Sequence, residues 1–148
     1  MPVILFVRLH TQPIAEAKLT MFIRFVIHKN DTQSGRRQGL FQAMSDLEEI
    51  GALVPHEQEE YDSIYDWFKK NLKKPRSFSR SNKPNAKNVA LSWFRDTAIE
   101  HISRMHRICQ ILSSHGISVE IIRTERPGYI VYEDRFQVVA EPFKETVT

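Results

Sequence analysis

With a single cysteine, Cys109, the chain cannot form an internal disulfide, and nothing in its composition calls for an oxidising compartment. Long hydrophobic runs are also missing. VILFV at residues 3–7 is shorter than the core of a signal peptide, has no basic segment before it and is interrupted by Arg8 and His10. No stretch approaches the roughly 20 apolar residues of a membrane-spanning helix. The expectation is a soluble, cytoplasmic protein with no membrane partner. Glycine is scarce, at five residues, and neither Gly35 nor Gly39 stands in a phosphate-binding loop or a dinucleotide fingerprint. The six histidines offer no metal-ligand spacing. His101 and His106 are five residues apart, about 140° around a helix, where ligands four apart would share a face. No metal, cofactor or catalytic arrangement is expected from these residues, and Cys109 falls in an apolar stripe with nothing nearby to activate a thiol.

Against these absences stand 148 residues, 41% of them hydrophobic and 26% charged, enough to bury one core without covalent staples. Acidic residues are absent between Lys69 and Asn88, where eight lysines and arginines fall. The other 13 basic residues face 18 acidic ones, so the net charge of +3 is a local excess on a background of −5.

MFIRFVIH at residues 21–28 alternates in the manner of a strand, with Ile23, Phe25 and Ile27 toward the core. The polar run that follows leads through Ser34, a candidate N-cap, into a helix with Leu40, Met44 and Leu47 on one face, ending near Gly51. Pro55 and a group of acids open a second helix marked by Tyr61, Ile64, Phe68 and Leu72, with lysines at its end as the helix dipole favours. Residues 73–88 read as a loop joining two helices. A long helix over 89–116 follows, its stripe formed by Leu91, Phe94, Ala98, Ile102, Met105, Cys109 and Leu112, with Trp93 at the edge of the core and Gly116 as C-terminal cap. ISVEIIR, YIVYE and FQVVAE then read as a β-meander. The class is α+β: a small antiparallel sheet, made of the N-terminal strand and the C-terminal meander, packed against about three helices. Residues 21–148 form one domain, and residues 1–20 are an appendage or an extra strand.

Two segments carry functional expectations. KKPRSFSRSNKPNAKN brings Lys73, Lys74, Arg76, Arg80, Lys83 and Lys87 together with Phe78, the residue types that neutralise phosphates and stack on bases. This points to a non-enzymatic protein that contacts an acidic macromolecule such as nucleic acid, although no recognised nucleic-acid-reading element accompanies the segment. The rival reading is a small-molecule or anion-binding enzyme, its site at the strand-to-helix connection with Ser34, Arg36 and Arg37. A third is a homo-oligomer in which the apolar N-terminal segment pairs with a neighbour's sheet edge.

Overall fold

The β-branched and aromatic alternation after Met21 produces a long central strand, and everything else is arranged about it. The computed structural model describes residues 19–30, 35–75 and 90–148. In these, β1 (Phe22–Asn30) is followed by β2 (Arg37–Gly39), α1 (Leu40–Glu49), α2 (Pro55–Asn71), β3 (Leu91–Arg95), α3 (Ile99–Ser114), β4 (Val119–Thr124), β5 (Tyr129–Glu133) and β6 (Gln137–Glu141). The strands form one antiparallel sheet against which the helices pack, the expected α+β arrangement.

Both edges of β1 are occupied. Phe22 lies opposite Thr124 of β4 and Arg95 of β3, and Val26 opposite Glu120 of β4 and Gly39 of β2. A residue has only two edges, so β4 takes one side of β1 while β3 and β2 share the other, parting near Arg24. Beyond β3 come β6 and then β5. The C-terminal strands are therefore not consecutive neighbours as a meander requires: β5 and β6 form a hairpin, but β4 pairs with β1. Six residue pairs with β1, among them Arg24 with Ile122 and Phe25 with Ile121, outweigh adjacency in sequence.

Two other expectations change. Residues 91–95 are strand rather than the start of a helix, because β3 has partners on both sides, β1 and β6. Among the described residues, the element that follows segment 73–88 is therefore strand β3 and not the expected helix. The N-cap of α1 is Gly39, not Ser34, since β2 intervenes. Residues 1–18, which include most of the N-terminal appendage, lie outside the described residues.

The pleat of β1 divides the core in two. Ile23, Phe25 and Ile27 face the helices and join Leu40, Met44 and Leu47 of α1, Tyr61, Ile64 and Phe68 of α2, and Met105, Ile108 and Leu112 of α3. Phe22 and Val26 face the other way and form a second cluster with Leu91, Trp93, Ile122 and Val138. Trp93, expected at a core edge, is 1% exposed at the centre of this second face. No helix among the described residues contributes to that cluster.

Helices α1 and α3 end alike. Gly51 and Gly116 adopt positive φ, letting Ala52 and Ile117 donate back to Leu47 and Leu112, which closes each last turn. Gly128 has a different role: a Cβ there would lie 2.1 Å from the Glu141 carbonyl oxygen, so only glycine lets β5 start against β6.

The buried face of α3 runs through His101, Met105, Ile108, Ile111 and Leu112, leaving Ile102 and Cys109 only partly covered. Ile108→Ala should therefore lower the unfolding free energy by about 2–5 kcal/mol. Ile102→Ala should cost less, and exposed Glu100→Ala should stay within about 0.5 kcal/mol of zero. Denaturant titration of the three variants checks this orientation, and equal losses at Ile102 and Ile108 would contradict it.

Candidate functional site

The basic segment begins at the end of α2, and two buried polar side chains fix the backbone there. His101, 3% exposed, donates from Nε2 to the Asn71 carbonyl at 2.8 Å, which places the proton on that nitrogen because a carbonyl only accepts. Its ring is boxed by Phe136 at 4.5 Å and Trp67 at 4.7 Å between centroids, with Phe68 and Phe94 behind. Gln137, 2% exposed, donates from Nε2 to the Lys73 carbonyl at 2.6 Å and accepts from Ser92 Oγ at 3.0 Å. The backbone of 71–73 is thus held to α3 and β6 while the lysine side chains point outward.

Around this stem is a cleft of about 420 Å³ lined by Lys69, Lys70, Lys73, Arg135 and Phe136. The four basic side chains belong to exposed residues, as does neighbouring Lys74. Asp134, the acid of this cleft, is turned to structural work. Oδ1 accepts the Phe136 and Gln137 amides, and Oδ2 accepts the Tyr132 hydroxyl and Gln137 Nε2. Although burial opposes the charge, these bonds hold its carboxyl below the usual aspartate range. Of the polyanion-binding residues expected from sequence, Lys73 and Lys74 stand at this stem, whereas Arg76, Phe78, Arg80, Lys83 and Lys87 lie outside the described residues. Arg135 was not singled out, because only the β5–β6 turn brings it beside α2.

The alternative anion site is partly assembled. Ser34 lies outside the described residues. Arg36 and Arg37 are joined by Arg24, whose Nη2 donates to the Arg37 carbonyl at 3.2 Å across the gap where β2 and β3 part. Burial first, and then the charges of Arg37 and Arg36, push the Arg24 guanidinium down to about 10. Its Nε is enclosed, with no hydrogen-bond partner among the described residues. Arg37 is already engaged: Nε donates to the Thr148 main-chain oxygen at 2.9 Å and Nη1 pairs with Glu120. Arg36 Nη1 reaches Thr148 Oγ1 at 3.5 Å.

A third cluster joins the start of α2 to the end of α3. Glu57 Oε1 accepts from His115 Nε2 at 2.8 Å and from the Val54 amide at 3.1 Å, and Oε2, at 2.9 Å, shares the Ser114 hydroxyl proton with the Ile111 carbonyl at 2.7 Å. Serine, histidine and carboxylate are all present, but the carboxylate sits between the other two. A nucleophilic triad needs the histidine in the middle to take the serine proton. The cluster is a latch. Among the described residues no group of histidine, cysteine and acidic side chains is placed to hold a metal ion, and no helix is long and apolar enough to cross a membrane. Burial pushes the Cys109 thiol up, away from the reactive thiolate.

Comparison with protein-family models, curated proteins and solved structures finds no match to the chain.

The latch is testable through pH. His115, followed by the Val54 amide, holds the Glu57 carboxyl down to about 2 from an ordinary 4.5. A depressed acid contributes stability that is present above its unfolded value and lost as pH falls toward its folded value. Stability measured by denaturant titration should therefore fall between about pH 4.5 and 2, and Glu57→Gln should lower stability at neutral pH and flatten that part of the profile. An unchanged profile in the variant would remove Glu57 from the account.

Proposed function

We propose that the protein is a non-enzymatic binding protein for an acidic macromolecule, with nucleic acid as the partner class its surface chemistry fits. The observation that carries this reading is the cleft at the α2 terminus, where Lys69, Lys70, Lys73 and Arg135 converge beside half-buried Phe136. Among the described residues no acid neutralises the group as a whole: Lys69 has a loose pair with Asp66 at 3.7 Å, and Asp134 is committed to its turn. Lysine and arginine at such a surface gain affinity for phosphates by releasing condensed counterions. The basic residues from Arg76 to Lys87 follow directly in the chain and extend the same charge. A stem fixed by His101 and Gln137 lets the lysines approach a ligand without first ordering their own backbone.

A second reading, a small-anion site at Arg36 and Arg37, has the convergence of Arg24 in its favour. Against it, Arg37 already spends donors on Glu120 and Thr148.

Retention on heparin and binding to a mixed-sequence oligonucleotide across a salt series distinguish these readings. If the stem residues contact phosphates, replacing Lys69, Lys70, Lys73 and Arg135 together by Ala should reduce the slope of log K against log salt by roughly 3 to 4. The melting temperature serves as the control for folding. An unchanged slope in a folded variant would overturn the reading, and loss of phosphate binding on Arg36→Ala instead would favour the second.

A further inference from the structure

Closer to the start of α2 than the basic stem, two turns of α1 and one of α2 enclose a cleft of about 460 Å³ whose walls are of a different kind. Phe41, Tyr61 and Tyr65 line it, with centroids 6.3, 6.1 and 6.0 Å apart pairwise and ring planes inclined by 43°, 66° and 46°. No two rings are stacked flat; they pack tilted and edge-on against one another along one side of the cleft. Tyr61 is buried and Phe41 packs edge-on against Phe68 at 5.1 Å, so two of the rings are anchored in the core, while Tyr65 is 44% exposed at the rim.

Two carboxylates complete the cleft. Gln58 Nε2 donates to both Glu48 Oε2, at 2.6 Å, and Asp62 Oδ1, at 2.9 Å, holding the pair together with a neutral group. Among the described residues neither acid is paired with a lysine, arginine or histidine. Their charge is felt within the cleft: burial raises the Tyr61 phenol above its ordinary range, and Glu48 and Asp62 raise it further. One cation is already placed against the rim, since Lys69 Nζ lies 5.3 Å from the Tyr65 centroid.

From this geometry we infer that the α1–α2 cleft is a binding site for a methylated ammonium group. Aromatic faces attract a cation through their quadrupole within about 6 Å of the centroid, and most strongly one whose hydration shell is weak. A metal ion is a poorer fit, because hard divalent cations require six or more oxygen ligands, or a rigid octahedron of them and water. A methylated ammonium has few or no N–H groups to satisfy, presents carbon to the rings and keeps its charge for Glu48 and Asp62. The volume lies within the range of small-ligand pockets, roughly 300–1,000 Å³. The group is carried either by a free choline-like molecule or by a methylated lysine on another protein. This inference does not depend on the polyanion reading, although Lys69 borders both sites.

Calorimetric or NMR titration of the full chain tests it with choline and with 3,3-dimethylbutan-1-ol, the neutral carbon isostere of choline. A trimethyllysine peptide is compared with its unmodified counterpart. The expected result is saturable binding of a cationic probe, at least about tenfold tighter than its uncharged or unmethylated control, and weakened ~3- to 30-fold by Tyr65→Leu and by Asp62→Asn. Both substitutions are at the rim, and unchanged melting would show that the fold is intact. Stronger binding of choline would assign the site to a free ligand, and stronger binding of the peptide to a protein partner. Equal affinity for the neutral isostere, affinity unaffected by both substitutions, or no saturation by either cationic probe at tens of millimolar would overturn the inference.

Discussion

The pairing of β1 on both edges is the constraint from which the rest of the molecule follows. A strand with partners on each side and apolar side chains on each face has no surface to give to solvent, so its neighbours must supply a cover above and below. The helices meet that need on the face of Ile23, Phe25 and Ile27. On the other face, side chains of β1, β3, β4 and β6 form the second cluster, with Trp93 and Val26 buried in it. Arg24 is the exception among these inward positions, and it lies where β2 and β3 part and leave the sheet an opening.

Those elements whose signal is local were legible in the sequence. The alternation of β1, the Pro55 start and apolar stripe of α2, and the glycine endings of α1 and α3 need only neighbouring residues to be seen. The segment LSWFR was misread because Leu91 and Phe94 continue the helical spacing of Ala98 and Ile102, while over so few residues Leu91, Trp93 and Arg95 alternate equally well. The choice is made by β1 and β6, far away in sequence. Strand β2, at three residues, has no period at all, and exists because Asn30 and Val26 offer it an edge. The same limit governs the sites. Lys73 and Lys74 declared themselves through composition, whereas Arg135 reaches them only through the β5–β6 turn, Arg24 meets Arg37 only through strand pairing, and the ring of Phe41 meets Tyr61 and Tyr65 only because two helices lie side by side.

Helix α2 organises charge as well as packing. Its acids lie early and its lysines late, an arrangement that complements the helix dipole and also separates two surfaces along one rigid rod. Near its start Glu57 fastens it to the end of α3, and further along Glu60 pairs with Arg107 at 2.9 Å. At its end His101 grips the last carbonyl. Because α2 is tied to α3 at both ends, the aromatic flank and the lysine end keep a fixed spacing.

The remoteness of β1's partners also affects the order in which the protein takes shape. Its longest pairing is with β4, about a hundred residues further along the chain. At ~5–20 residues per second on the ribosome, β1 is synthesised some 5 to 20 seconds before that partner exists. During that interval an apolar strand such as FIRFV has an open edge, the condition under which strands join the wrong neighbour. Charge at Arg24, and the early arrival of β2 on the opposite side, are the local features that make β1 a less adhesive template until β4 closes the sheet.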